Sequence, residues 1–308
     1  MDDLAVLTPC YHGDAELFAD LHESVLAHTA PSVVHYVVVP PSDAHLFRQY
    51  EGGRCRLWTH RDLLPRHCVS VPRGSGLTLN LRRPWPPIRG WVTQQLMKIA
   101  ATGTIDARAV LVVDSDAVLL REPTLDELTH EGRVRYFREE DAVTAGMDRH
   151  LLWHNVARKL LGVPGTVSPP APDYVGPICV WDPAVVRALT EHIAVTTGRH
   201  WLDAVAGQLH VSEFVIYGVF VDHVLGGTVP FGEPLCHNYY EREPLSVAEG
   251  RAFAARTPPT ALGAMISSHS GTPGDVRREA FRESARIING GTTNLQQAYD
   301  RAGDARIG

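Results

Sequence analysis

The chain reads as an α/β protein with a mostly parallel central sheet flanked by helices. Three observations predict this. A short apolar run at residues 4–7 and a β-branched run at 33–39 are separated by a segment with an apolar face of Leu17, Phe18, Leu21 and Val25. Strand, helix, strand in so short a stretch suggests a right-handed βαβ unit and therefore parallel pairing. The strongest strand signal, Ala109-Val110-Leu111-Val112-Val113, comes after another amphipathic helix, so the alternation continues.

Each element has a local reason. The first strand ends at Thr8-Pro9, and Asp14 is placed to cap the helix that follows. Pro40-Pro41 stops the second strand. Residues 65–87 are rich in Pro, Gly and Arg with no apolar period, and are expected to form a long loop. A helix is predicted over 90–101, with Val92, Leu96 and Ile99 on its apolar face and Trp91, Gln95 and Lys98 on another. The 109–113 strand runs into Asp114-Ser115-Asp116 and a further apolar stretch at 117–120. A helix over 150–161 ends at Gly162, residues 174–181 read as a strand, and Asp182-Pro183 opens the next helix. Ser212 starts a helix that Gly226-Gly227 stops, and 264–268 is the last strand candidate. The organisation expected is one catalytic domain over 1–290, with halves at about 1–125 and 126–290, followed by a polar tail at 291–308.

Composition narrows the function classes. The 308 residues are 44% hydrophobic and 21% charged, which excludes disorder, collagen and coiled coil. A net charge of −6 argues against nucleic acid as a partner. The five cysteines, Cys10, Cys55, Cys68, Cys179 and Cys236, show no C-x-x-C or zinc spacing. An acidic start without an apolar leader and the absence of an 18-residue apolar run point to a cytoplasmic chain with no transmembrane segment. Neither G-x-G-x-x-G nor a P-loop is present, so no glycine-rich phosphate cradle is expected.

As a bare string, the D-x-D at 114–116 means little in a chain of this size. Its context gives it weight. Alternation along an extended strand sends Asp114 and Asp116 to the same side, at the carboxyl end of five apolar residues. Open α/β sheets bind ligands at that end. Two crowded carboxylates are costly without a cation, and oxygen-only ligation suits Mn²⁺ or Mg²⁺ bridging to a diphosphate. A strand-ending aspartate that caps the next turn is the alternative. Glu213, in the first turn of a helix, is explained equally well by the helix dipole and by a role as general base.

Four stretches resemble the GT-A superfamily of nucleotide-sugar glycosyltransferases, and more closely a group of uncharacterised bacterial GT-A-like proteins. They are Leu7-Thr8-Pro9-Cys10-Tyr11 with Asp14, Gly90-Trp91-Val92-Thr93-Gln94-Gln95-Leu96-Met97-Lys98, Val112-Val113-Asp114-Ser115-Asp116-Ala117-Val118, and Ser212-Glu213-Phe214-Val215-Ile216-Tyr217-Gly218. The resemblance implies a GT-A-like domain with a Rossmann-like nucleotide-binding half and an acceptor half. It implies a metal-dependent transferase moving sugar from a nucleoside diphosphate sugar, UDP- or GDP-linked, to a hydroxyl acceptor. By position, Thr8, Tyr11, Gln95, Lys98, Asp114, Tyr174 and Gly176 would bind the donor and Tyr217 the acceptor. Asp116 would hold Mn²⁺ or Mg²⁺ with His269, His237 being the second choice. Glu213 would take the acceptor proton, giving inversion. Two other classes share the motif: a non-catalytic sugar-nucleotide or glycan binder on the same fold, and a haloacid-dehalogenase-type phosphohydrolase. The latter usually places the motif on its first strand and carries a later acidic pair after another apolar run, whereas here the motif comes at residue 114 and Glu139-Glu140 lies before Asp141 rather than after a comparable strand.

Overall fold

A run such as Ala107–Val113, apolar on both faces, can be stable only as an inner strand with layers on either side. In the computed structural model, which describes residues 2–71 and 76–290, it lies inside a five-stranded sheet. The spatial order is Ile178–Trp181, Ala107–Val113, Asp2–Pro9, Val34–Val39, Cys55–Thr59. The last four strands are parallel, with Ala5 opposite Val34 on one side and Val110 on the other. Only Ile178–Trp181 runs antiparallel, pairing Val180 with Leu111. The sheet is mixed and mostly parallel, as the alternation of elements predicts.

Two cores cover its faces. One packs Leu96, Met97 and Ile99 of the Gly90–Thr104 helix and Val215 and Val219 of the Glu213–His223 helix against Leu7, Val110 and Val112. The other gathers Phe18, Leu21 and Val25 of the Ala15–His28 helix around Val6, Val37 and Leu111. The Glu213–His223 helix has no polar face because every residue from Glu213 to Val221 is buried. Gly218 sits in its middle because the Tyr174 ring lies across it; a Cβ there would fall 2.1 Å from the ring. Among the described residues no helix is long and apolar enough to cross a membrane.

A second, three-stranded sheet orders Cys236–Tyr239, Gly263–Ile266 and Ala117–Leu119. It takes the chain directly from the end of Ala107–Val113, so residues 114–116 bridge the two sheets. Residues 65–87 depart from the expected loop. They include the strands Cys68–Ser70, Thr78–Asn80 and Arg83–Ile88, paired antiparallel. Most of Arg83–Ile88 is exposed, and its three prolines are tolerated at such an edge. That is why neither period nor propensity reveals it. The strand expected over 174–181 is shorter, Ile178–Trp181. The tail at 291–308 lies outside the described residues.

Beneath the first helix, His22 Nδ1 lies 3.0 Å from His35 Nδ1, and His35 Nε2 lies 3.0 Å from the Thr8 hydroxyl. Burial pushes the His22 imidazole down to about 4, with Arg54 adding to it, and burial likewise pushes His35 well below its ordinary range. The folded-state values lie below the unfolded value of about 6.5, so the unfolded chain takes up protons that the folded chain refuses. Stability is expected to fall as pH drops from about 6.5 toward 4, with His22 alone contributing about 3 kcal/mol of that loss. Urea midpoints between pH 7.5 and 4.5 measure it. An undiminished slope in His22→Phe would remove His22 from the account.

Candidate active site

The sequence of strands changes direction at Asp2–Pro9. Its successor lies on one side and Ala107–Val113 on the other, so the crevice between the carboxyl ends of these two strands is a topological switch point, where open α/β sheets take ligands. The residues that leave those strand ends are Tyr11 and Asp14 from one, and Asp114 to Asp116 from the other.

Lys98 anchors the crevice. It projects from the Gly90–Thr104 helix, buried, with Nζ 2.9 Å from Asp114 Oδ1 and 2.9 Å from Glu213 Oε1. The ammonium also lies 4.4 Å from the centre of the Phe214 ring. Burial alone would pull the Lys98 titration down, but Asp114 and Glu213 outweigh it and hold the ammonium charged. Of its two partners, Asp114 keeps 37% of its side chain open to solvent and Glu213 only 4%. Glu213 owes its position to the helix start, where the Ser212 hydroxyl accepts from Val215 N. A carboxylate so enclosed and already paired is not presented to an acceptor hydroxyl.

Asp116 is held differently. Its Oδ2 accepts from the Ser268 backbone N–H at 2.8 Å, and its own carbonyl accepts from Arg277 Nη2 at 3.0 Å. Arg277 is buried and also donates to the Ile266 carbonyl, so one guanidinium ties the acidic turn to the end of a strand of the small sheet. Burial, with Asp114 close by, pushes the Asp116 carboxyl up to about 6, even though the Ser268 N–H favours its anion. Asp14 is likewise raised by burial, and accepts from the Ser115 hydroxyl at 2.8 Å. Tyr11 is 41% exposed and folds over Gly13, where a Cβ would meet its ring at 2.6 Å. Its phenol is raised chiefly by the neighbouring Asp14.

The crevice therefore brings together Tyr11, Lys98, Asp114 and Asp116 of the residues the sequence singles out. His269 is exposed on the Ser268–Ser270 turn and adds favourable charge to Asp14. Several others lie elsewhere. Thr8 is fully buried against His35, so it faces the core and not a ligand. Tyr174 is buried and donates to Asp222 Oδ2 at 2.6 Å. Gly176 is also buried, and a Cβ there would lie 3.4 Å from Cys179 Sγ and 3.7 Å from the Phe137 ring. Tyr217 stacks on Trp181, and its hydroxyl accepts from Asp182 N. His237 stacks on Phe253 and its Nε2 lies 2.9 Å from that residue's carbonyl. Gln95 is buried with neither amide atom partnered among the described residues, so it is not the solvated face residue that helix periodicity allows. Glu139 and Glu140 lie on an exposed ribbon paired with Ala171–Asp173, where Arg138 engages Glu140.

Sequence reasoning missed Asp14 as a crevice residue because the helix-cap reading already explained it. It occupies the N-cap position, yet its side chain makes no cap bond. Arg277 and the Ser268 N–H carried no signal at all.

Chemically, the donor set suits a hard cation in part. Asp14, Asp114 and Asp116 crowd one region, and the raised Asp116 carboxyl is the charge that a divalent ion would relieve. Among the described residues no group of three or more His, Cys, Asp or Glu side chains is placed to hold a metal ion.

No curated protein matches the chain. Among solved structures it is similar to the glycosyltransferase GlyE of Streptococcus pneumoniae TIGR4. Against the apo form the TM-score is 0.43 at 12% identity, covering 97% of this chain and 64% of that one. A second GlyE structure gives a TM-score of 0.45 at 12% identity, covering 98% and 64%. The chain thus spans just under two thirds of the length of these neighbours. A family model matches residues 5–243, well over half of the sequence. The chain belongs to that family, DUF6492, a family of unknown function.

Proposed function

We propose that the chain is a GT-A-type glycosyltransferase whose donor is a nucleoside diphosphate sugar and whose acceptor is a hydroxyl group. One observation carries the reading: two carboxylates and a buried, charged lysine converge at the switch point of a parallel sheet, with Asp116 raised to about 6. Asp116 would hold Mn²⁺ or Mg²⁺, with His269 as the second protein ligand. When bound, the ion would neutralise charge on the departing diphosphate. Asp114, fixed by Lys98 through one oxygen, would use its other oxygen, which no described residue engages, to accept from a hydroxyl of the donor's ribose or sugar. Tyr11 offers an exposed ring at the rim for the base. A thermal-shift panel of nucleoside diphosphates with and without Mn²⁺ tests the reading. At one hundred times Kd the matching diphosphate should add about 2.7 kcal/mol of stability, and Asp116→Ala should abolish the gain. A panel without any metal-dependent shift would end the proposal.

We assign Glu213 the role of positioning Lys98, and do not route an inverting mechanism through it. Glu213→Gln is expected to lower turnover by roughly tenfold while leaving the acid limb of the pH–rate profile in place, because the ammonium loses one charged partner and keeps Asp114. Loss of the acid limb would restore Glu213 as the base.

A further inference from the structure

Apart from the crevice, the edge ribbon Arg83–Ile88 and the Trp201–Ala206 helix line a partly open cleft with a cavity volume of about 40 Å³. Arg83, Arg89 and Arg199 line it, together with Asp203, Val92 and Leu209. The one carboxylate is already committed. Asp203 accepts from Asn80 Nδ2 at 2.5 Å and lies 3.9 Å from Arg82, which is not a lining residue. The three lining guanidiniums pair with no carboxylate among the described residues. Two are fixed by neutral oxygens instead: Arg89 Nη2 donates to the Leu209 carbonyl at 3.2 Å and Arg199 Nη2 to the Asp203 carbonyl at 3.0 Å. Arg83 has no hydrogen-bond partner among the described residues and lies across Gly207, where a Cβ would sit 3.5 Å from its Nη1.

Carbonyl oxygens orient a guanidinium without cancelling its charge. Three guanidiniums around one cleft, none paired with a carboxylate among the described residues and two of them held by carbonyls, form a positive site in a chain whose net charge is −6. We infer that this pocket binds a phosphate or diphosphate group. Its planar, multidentate donors match tetrahedral oxyanions, and Val92 and Leu209 supply an apolar wall for whatever carries the group. The inference stands independently of the transferase reading, since none of these residues contacts Asp114, Asp116 or Lys98 in the hydrogen bonds and ion pairs described above.

The test is calorimetric titration of the full chain with inorganic pyrophosphate, at low salt and with a chelator present so that no divalent ion assists the crevice. Saturable binding is expected, weakened about tenfold or more in Arg83→Gln/Arg199→Gln and unchanged in Asp116→Asn. All three arginines are exposed, so the double variant should keep the wild-type melting temperature, which is measured alongside. No binding, or binding that the double variant retains, overturns the inference. Loss in Asp116→Asn overturns it too, by moving the anion to the crevice. Co-sedimentation with phosphatidylcholine vesicles, with and without phosphatidic acid, distinguishes the source. Arginine-dependent sedimentation only with phosphatidic acid identifies a lipid headgroup, and pyrophosphate binding without sedimentation identifies a soluble phosphate.

Discussion

Lys98→Met is expected to destabilise the fold by about 3–5 kcal/mol, the usual consequence of removing one partner from a buried ion pair. Glu213 is enclosed on all sides, so its charge cannot turn to water when the ammonium is gone. Asp114 is partly open and can relax, which confines the penalty largely to Glu213. The double variant Lys98→Met/Glu213→Gln should therefore recover much of the loss, because the amide carries no charge to strand. Urea unfolding of the four chains measures both effects, and an unchanged slope against denaturant would confirm that the folded state alone is affected. A Lys98→Met midpoint close to wild type would contradict the clamp.

Asp116→Asn should separate activity from stability. Sugar transfer is expected to fall on the order of 10²–10³-fold, as when an electrostatic partner of a departing group is removed. Stability should move the other way. The Asp116 carboxyl is raised to about 6 in the folded chain, above its unfolded value of about 3.9. Its contribution is therefore present at low pH and lost as pH rises through the folded value. At pH 8 the ionised group destabilises the fold, and the neutral amide removes that cost while still accepting the Ser268 N–H. A gain of about 2 kcal/mol is expected at pH 8, shrinking to nothing near pH 4. A variant that loses stability at pH 8, or that turns over normally, would refute this description of Asp116.

How far the sequence alone reaches depends on the kind of interaction. Apolar runs and caps are local, so they were legible. The Ala107–Val113 strand, the αL Gly162 that ends the helix before it, and the Asp182 and Ser212 caps all appear where spacing puts them. The D-x-D was legible as a position, because what precedes it must be an inner strand. Roles were much less so. Tyr174, Tyr217 and His237 look like ligand contacts by type and neighbourhood, yet each hydroxyl or ring nitrogen is taken by a partner 16 to 48 residues away. Lys98 and Glu213 could be named but not paired, since they lie far apart in the chain and meet only when two helices converge. The edge ribbon escaped because its strands pack few apolar side chains, and pattern reading depends on those.

The attachment of Asp116 to Ser268 and Arg277 spans 152 and 161 positions of chain. During synthesis from the amino end, the parallel strands up to residue 113 can pair long before either partner has left the ribosome. The acidic turn must then wait, unanchored, for the last strand and the helix that follows it. A truncated or still-growing polypeptide would own the carboxylates without their mooring, which forms only once the small sheet and the Gly274–Ile288 helix are complete.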